Sequence, residues 1–154
     1  MSSFSIPDLK ASYALVEPRA AEVGRAFYDR LFQRHPALRG LFGDDIDGQS
    51  FRLMTMIGAG IGLLDHPDRL DGALRELGAR HLRYGVREAH YPIVGRVLLD
   101  TLHETLGEDF TAEAASAWSG FYDVVVASMM AGARAAAESA PAVADRSVAM
   151  APGG

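Results

Sequence analysis

The stretch of this chain best suited to chemistry is Glu76–Pro92, ELGARHLRYGVREAHYP, and it is built around His81. Leu74, Leu77 and His81 recur at i, i+3 and i+7, so they share one face of a helix. Gly85 ends that helix, as a glycine just past the last turn does. Val86 turns the chain, and Tyr91-Pro92 opens the next helix. A neutral imidazole on the inner face of a short helix, followed by a sharp turn, suits a metal or the iron of a porphyrin. The same imidazole would also serve as a buried, hydrogen-bonded core residue. This stretch alone leaves both readings open.

Other candidates are weaker. The acids of Gly43–Gly48, GDDIDG, invite a calcium reading. With Gly48 as the invariant loop glycine, the first ligand position is Gly43 and the bidentate glutamate position is Met54, so the pattern fails. These acids read instead as a solvated helix start with Asp47 as its N-cap. Gly58, Gly60 and Gly62 are spaced G-x-G-x-G inside a helical pattern, not after a strand, which does not make a dinucleotide fingerprint. They read as small residues that let another helix approach. His35, His66, His90 and His103 fall at helix ends or beside charges and are not chosen as ligands.

Composition bounds the rest. The 154 residues, 49% hydrophobic and 23% charged, are an ordinary globular mix for one domain. A net charge of −5 argues against a general nucleic-acid or anionic-membrane surface. With no cysteine there is no disulfide, thiolate metal site or cysteine nucleophile. The start, MSSFSIPDLK, has no basic n-region or apolar core, so no signal peptide is expected. The most apolar stretch, Met56–Leu64, is far short of the ~20 residues that cross a bilayer. A cytoplasmic protein is expected.

The elements around His81 all read as helices. Pro7 and Asp8 suit a first turn, with Leu9, Tyr13 and Val16 facing inward. Ala21–Gln33 places Gly24, Phe27, Tyr28, Leu31 and Phe32 on one side, and ALRGLF forms a short turn ending at Phe42. Gln49–Leu64 carries Phe51, Met54, Ile57, Ile61 and Leu64 at helical spacing. Pro92–Leu106 turns Val94, Val97, Leu98 and Leu102 inward. Thr111 caps a last helix to about Ala136, with Ala114, Trp118, Phe121, Val125 and Met129 on its stripe. No segment alternates with period two. The expectation is an all-α domain of about seven helices over residues 1–137, then a disordered tail over 138–154.

Five pieces in order, FYDRLFQRHPALRGLF, QSFRLM, LGARHLRYGV, HYPIVGRVLLDTL and AWSGFYDV, give a resemblance. Over Leu9 to Met130 the chain resembles bacterial single-domain globins, related to the haem domain of flavohaemoglobins. The resemblance implies the globin fold and haem b (iron protoporphyrin IX) on His81 as proximal ligand. It implies Tyr28 and Gln49 on the distal side, Leu53 over the iron and Phe42 against the porphyrin. Tyr91 matches a proximal-side tyrosine, and Arg52 and Arg80 match cations near haem propionates. Val86 and Val94 join the expected cofactor contacts. Gly24 and Ser50 match a close helix crossing.

Two departures stand out. The last-helix glutamate that usually pairs with the proximal tyrosine and histidine is Ala133 here, which removes a carboxylate that would favour O–O cleavage. No reductase domain follows, so a separate reductase is expected to supply electrons. The resemblance implies reversible dioxygen binding at ferrous iron, with nitric oxide and carbon monoxide as further ligands. Nitric oxide dioxygenation is the reaction it favours; an oxygen carrier or store, or a gas sensor without turnover, is the alternative.

Overall fold

A computed structural model of the chain describes residues 4–139. Six α-helices account for most of them: α1 Ile6–Val16, α2 Ala20–Arg34, α3 Ile46–Gly62, α4 Pro67–Arg83, α5 His90–Leu106 and α6 Ala112–Ser139. Short 3₁₀ segments cover Glu17–Arg19, Pro36–Leu41 and Gly107–Asp109, and the described residues hold no strand. The expected seventh helix, ALRGLF, is one of these tighter turns. Pro36 opens it and Phe42 closes it, too short a span to settle into an α-helix. The last helix runs on to Ser139, past the expected end. The reading of a tail beyond it lies outside the described residues.

Caps set the helix ends. Ser5 Oγ accepts from the Asp8 amide at 3.1 Å, and Thr111 Oγ1 accepts from the Ala114 amide at 3.0 Å. The N-cap of α3 is Asp45, which accepts from the Gly48 amide at 2.9 Å, and not Asp47 as the acids suggested. The helix therefore begins at Ile46, a turn earlier than expected. Asp47 lies inside the first turn and pairs with Arg25 of α2.

The core forms two clusters. The larger gathers Leu9, Val16, Val23, Phe27, Tyr28, Leu31, Val97, Leu102, Trp118 and Phe121 from α1, α2, α5 and α6. The smaller holds Leu70, Leu74, Tyr91 and Met129. Trp118 is 1% exposed, and its indole N–H donates to Ser12 Oγ at 2.8 Å, so the one polar atom of that ring is satisfied. Arg34 of α2 pairs with Asp100 of α5 at 2.8 Å, and Arg30 donates to Thr101 Oγ1 at 3.0 Å, tying those helices together.

Small residues permit the crossings. A Cβ on Gly24 would stand 3.1 Å from Ser50 Cβ, so α2 and α3 meet there as the sequence suggested. Gly58 lies under the Tyr13 hydroxyl and Gly60 under Phe121, while nothing approaches Gly62. The most extensive pairing is α4 on α6. The inner stripe expected on α3 holds for Met54 and Ile61 but not for Phe51, which is 72% exposed. One residue from the Gly24–Ser50 contact, Phe51 is rotated out to solvent by the helical period.

Candidate functional site

His81 lies in the last turn of α4 and is half-buried. Its Nδ1 is 2.9 Å from the Leu77 carbonyl oxygen one turn back, so Nδ1–H donates there and Nε2 keeps a lone pair for a metal. Burial pushes the imidazole below its ordinary 6.5; the Leu77 bond opposes this, and the Arg80 charge adds a little to it. The ring is therefore neutral at physiological pH, the form that ligates.

The turn after His81 is locked. Gly85 has φ +94, which its lack of a Cβ permits. The Gly85 amide donates to the Leu82 carbonyl at 3.1 Å, and the Val86 amide to that of His81 at 3.0 Å. This pair of bonds is the Schellman motif, and it fixes the turn that follows His81. Tyr84, the C-cap, sets its ring 6.1 Å from that of His81.

Tyr28 lies in the larger cluster, inside an aromatic cage. Its ring is 4.9 Å from Phe27, 5.8 Å from Phe32 and 5.4 Å from Phe42. Burial raises its phenol to about 12, with the positive charge of Arg52 pulling the other way. Arg52, exposed on α3, thus acts on the Tyr28 side of the molecule. No side-chain hydrogen bond among the described residues engages the Tyr28 hydroxyl. The oxygen is not sealed in either, since among the described residues the one fully enclosed, unpartnered side-chain atom is Ser50 Oγ.

Gln49 is half-buried in the first turn of α3, next to Ser50. Leu53, Phe42 and Val94 are partly buried against the larger cluster, Val86 and Leu77 against the smaller one, and Leu64 and Val125 against both. Leu64 and Val125 thus bridge the two clusters, and these half-covered apolar side chains are a surface that a flat apolar group would cover. Tyr91 is 8% exposed in the smaller cluster, and its carbonyl accepts from the Tyr122 hydroxyl at 2.7 Å. Arg80 points to Glu76 at 3.7 Å. The structure thus joins Tyr28, Phe42 and the Arg52 charge, and separately Val86 with Tyr91. Among the described residues no hydrogen bond links Tyr91 to His81.

Several parts escaped sequence reading. The Leu77 carbonyl had a signal, because residue i−4 always faces residue i on a helix. The helical spacing shows Phe32 only as an inward residue, yet Arg39 lies 5.0 Å above its ring and donates to the Gly43 carbonyl, closing the 3₁₀ segment under Phe42. Nothing local pointed to that contact.

A family model described as globin matches residues 25–129. The chain is 32% identical over 117 residues to a flavohemoprotein of Rhizobium meliloti, covering 74% of this chain and 29% of that protein. It is 27% identical over 124 residues to a flavohemoprotein of Bacillus subtilis, covering 79% and 31%. An uncharacterised globin-like protein of Aquifex aeolicus is 27% identical over 130 residues, covering 84% of this chain and 92% of its own length. The chain spans under a third of those two flavohemoproteins. The helical order, the glycine crossing of α2 and α3 and the anchored histidine of α4 agree with the matched span, which covers most of the sequence: this chain belongs to the globins.

Proposed function

We propose that this globin holds haem b on Nε2 of His81 and binds dioxygen on the opposite face, beside Tyr28 and Gln49. Membership of the globin family implies a haem. The observation that carries the assignment to His81 is its Nδ1–Leu77 bond, which fixes the tautomer and leaves one nitrogen available. The donor set and the half-covered apolar side chains suit a porphyrin, and Phe42, Leu53, Val86, Tyr91 and Val94 are the side chains proposed to touch it. Arg52 and Arg80 are the proposed cations near its propionates. The short Ile46–Gly62 and Pro67–Arg83 helices belong to a domain with no helix long and apolar enough to cross a membrane among the described residues.

Ferrous haem would supply the site for dioxygen and the one electron that turns dioxygen and nitric oxide into nitrate, leaving ferric iron. The chain's own residues set how tightly the gas is held. Tyr28 keeps its proton at physiological pH, because burial raises it to about 12. Its hydroxyl therefore donates to a bound diatomic ligand, with the Gln49 amide as a second donor. A hydrogen bond to a charged partner contributes about 1.5–3 kcal/mol. Two of them favour slow release, which suits dioxygenation better than delivery. The phenyl rings of Phe27, Phe32 and Phe42 surround the phenol ring and hold it in place.

The test is an absorption spectrum. Purified protein, or protein reconstituted with hemin, is expected to show a Soret band whose pyridine adduct is that of haem b. His81→Ala should lose it. A colourless chain that takes up no hemin, or a Soret band unchanged in His81→Ala, overturns the assignment. Repeated nitric oxide additions to the reduced, oxygenated protein then separate the two functions. Nitrate in excess of the protein, with a reductant present, marks turnover; stoichiometric nitrate marks a carrier.

A further inference from the structure

Segment 80–87, RHLRYGVR, runs against the trend of the chain. It brings three arginines together in a protein of net charge −5. Leu82 and Tyr84 are 38% and 37% exposed, two of the few large apolar side chains open to solvent among the described residues, where the others lie on α1 and α3. The nearby carboxylates are engaged. Glu88 pairs with Arg134 of α6 at 2.9 Å, and Glu76 pairs with Arg80 at 3.7 Å. Arg83 and Arg87 are exposed, and among the described residues neither has a carboxylate partner.

The patch is also held in shape. The Schellman bonds at Gly85 and Val86 fix its centre. The Arg87 amide donates to Nδ1 of His90 at 2.9 Å, which pins its far end. Within it, the partly exposed Tyr84 ring is 6.1 Å from the His81 ring. A short aromatic path thus runs from solvent to the imidazole proposed as iron ligand. Exposed apolar side chains rimmed by unpaired cations, on a rigid turn, are what an acidic partner docks on.

We propose that Arg83 and Arg87, with Leu82 and Tyr84 between them, receive an acidic flavoprotein that reduces the iron from the His81 side. This rests on the reading that His81 ligates haem. The reduced flavin of the partner gives up one electron, the ferric iron takes it, and no bond is made or broken. Opposite charge on the two surfaces steers encounter and places the flavin next to Tyr84, so the rate falls as salt rises.

A bacterial flavodoxin, an acidic protein carrying flavin mononucleotide, serves as the probe. Its binding is followed by calorimetry, and reduction of the ferric protein by the reduced flavodoxin is followed in the Soret region. Arg83→Glu/Arg87→Glu is expected to lower affinity and second-order rate about tenfold or more at low salt. Reduction by photoreduced free riboflavin should be unchanged, which shows that the variant is folded and its iron intact. Arg69→Glu/Arg96→Glu carries the same charge change elsewhere on the surface and should leave flavodoxin binding as in the parent. Equal loss in both double variants means net charge alone is sensed, and overturns the proposal. So does binding to phosphatidylglycerol vesicles with indifference to flavodoxin, which would make the patch a membrane contact. A chain with no Soret band fails the haem reading first and takes this one with it. A Soret band with an indifferent flavodoxin fails this one alone.

Discussion

Gly78 of α4 and Gly132 of α6 hold reciprocal positions at one helix crossing. A Cβ on Gly78 would overlap the Met129 carbonyl of α6, and a Cβ on Gly132 would overlap the Arg75 carbonyl of α4. Each glycine lies three residues after the carbonyl that the other helix's glycine meets. The two backbones are therefore in direct contact, and the helix that carries His81 is seated on α6 by the absence of two methyl groups.

The first prediction follows from that seating. Gly78→Ala and Gly132→Ala meet rigid carbonyls, not flexible side-chain ends, so the helices must separate. Each should lose about 1–3 kcal/mol of stability or more. Gly72, also on α4, has nothing within contact of its missing Cβ. Gly72→Ala should gain about 0.4–1 kcal/mol, by narrowing the unfolded ensemble. Urea midpoints of the three variants check this, and equal effects at the three positions would refute the crossing. Because His81 lies one turn beyond Gly78, hemin uptake should weaken in Gly78→Ala and hold in Gly72→Ala.

A second prediction concerns acid. Burial holds His81 below its ordinary 6.5 in the folded chain. The unfolded chain then binds the proton more readily, so this group's contribution is present above about pH 6.5 and is lost as pH falls through the lowered folded value. As pH falls below about 6.5, the haem-free protein should lose stability more steeply than its His81→Gln variant. Urea midpoints at several pH values give the comparison. Parallel curves would mean that His81 titrates as it does in water.

The third prediction tests the distal donor. Tyr28→Phe removes one hydroxyl and leaves the ring in its cage of phenyls. Dioxygen release should speed up by about tenfold to a hundredfold, as the loss of about 1.5–3 kcal/mol implies. In the parent, release should be flat with pH from neutral into the alkaline range, because the phenol keeps its proton to about 12. Stopped-flow displacement by carbon monoxide measures both. An unchanged rate in Tyr28→Phe would remove the hydroxyl from the site.

Much of this was legible in the sequence because it is local or periodic. Leu74, Leu77 and His81 sit one turn apart, and the glycine at 85 marks the end of their helix whatever the rest of the fold does. Tyr28 faces inward because Gly24 and Leu31 do, and the spacing of α2 dictates that. Phe51 was misread for a physical reason: its neighbours Ser50 and Met54 take the buried arc of α3, and an aromatic at the edge of a helical stripe does not announce which side it falls on. Gly78 and Gly132 are separated by more than fifty positions, so nothing local could pair them. Asp45 and Asp47 are equally good caps by residue type, and the non-helical ψ of +77 at Asp45 is what makes it the cap.

Arg39 carries the last prediction, since it joins parts that no motif links. Its guanidinium lies 5.0 Å above the Phe32 ring, and one nitrogen donates to the Gly43 carbonyl and, at 3.5 Å, weakly to that of Phe42. Phe32 and Phe42 meet edge to face at 5.5 Å, and both touch Tyr28. One half-buried side chain thus holds the end of the Pro36–Leu41 segment against α2 and sets where Phe42 lies. Removing it forfeits a cation–π contact of about 0.5–1 kcal/mol along with the carbonyl bond. Arg39→Ala should release haem to apomyoglobin several-fold faster, while the urea midpoint moves little, because the loss falls on the segment and not on the core. Arg39→Lys can reach a carbonyl but cannot lay a planar cation on the ring, so its rate should fall between the two. Haem loss at the parental rate in Arg39→Ala would show that Phe42 is held by its aromatic neighbours alone.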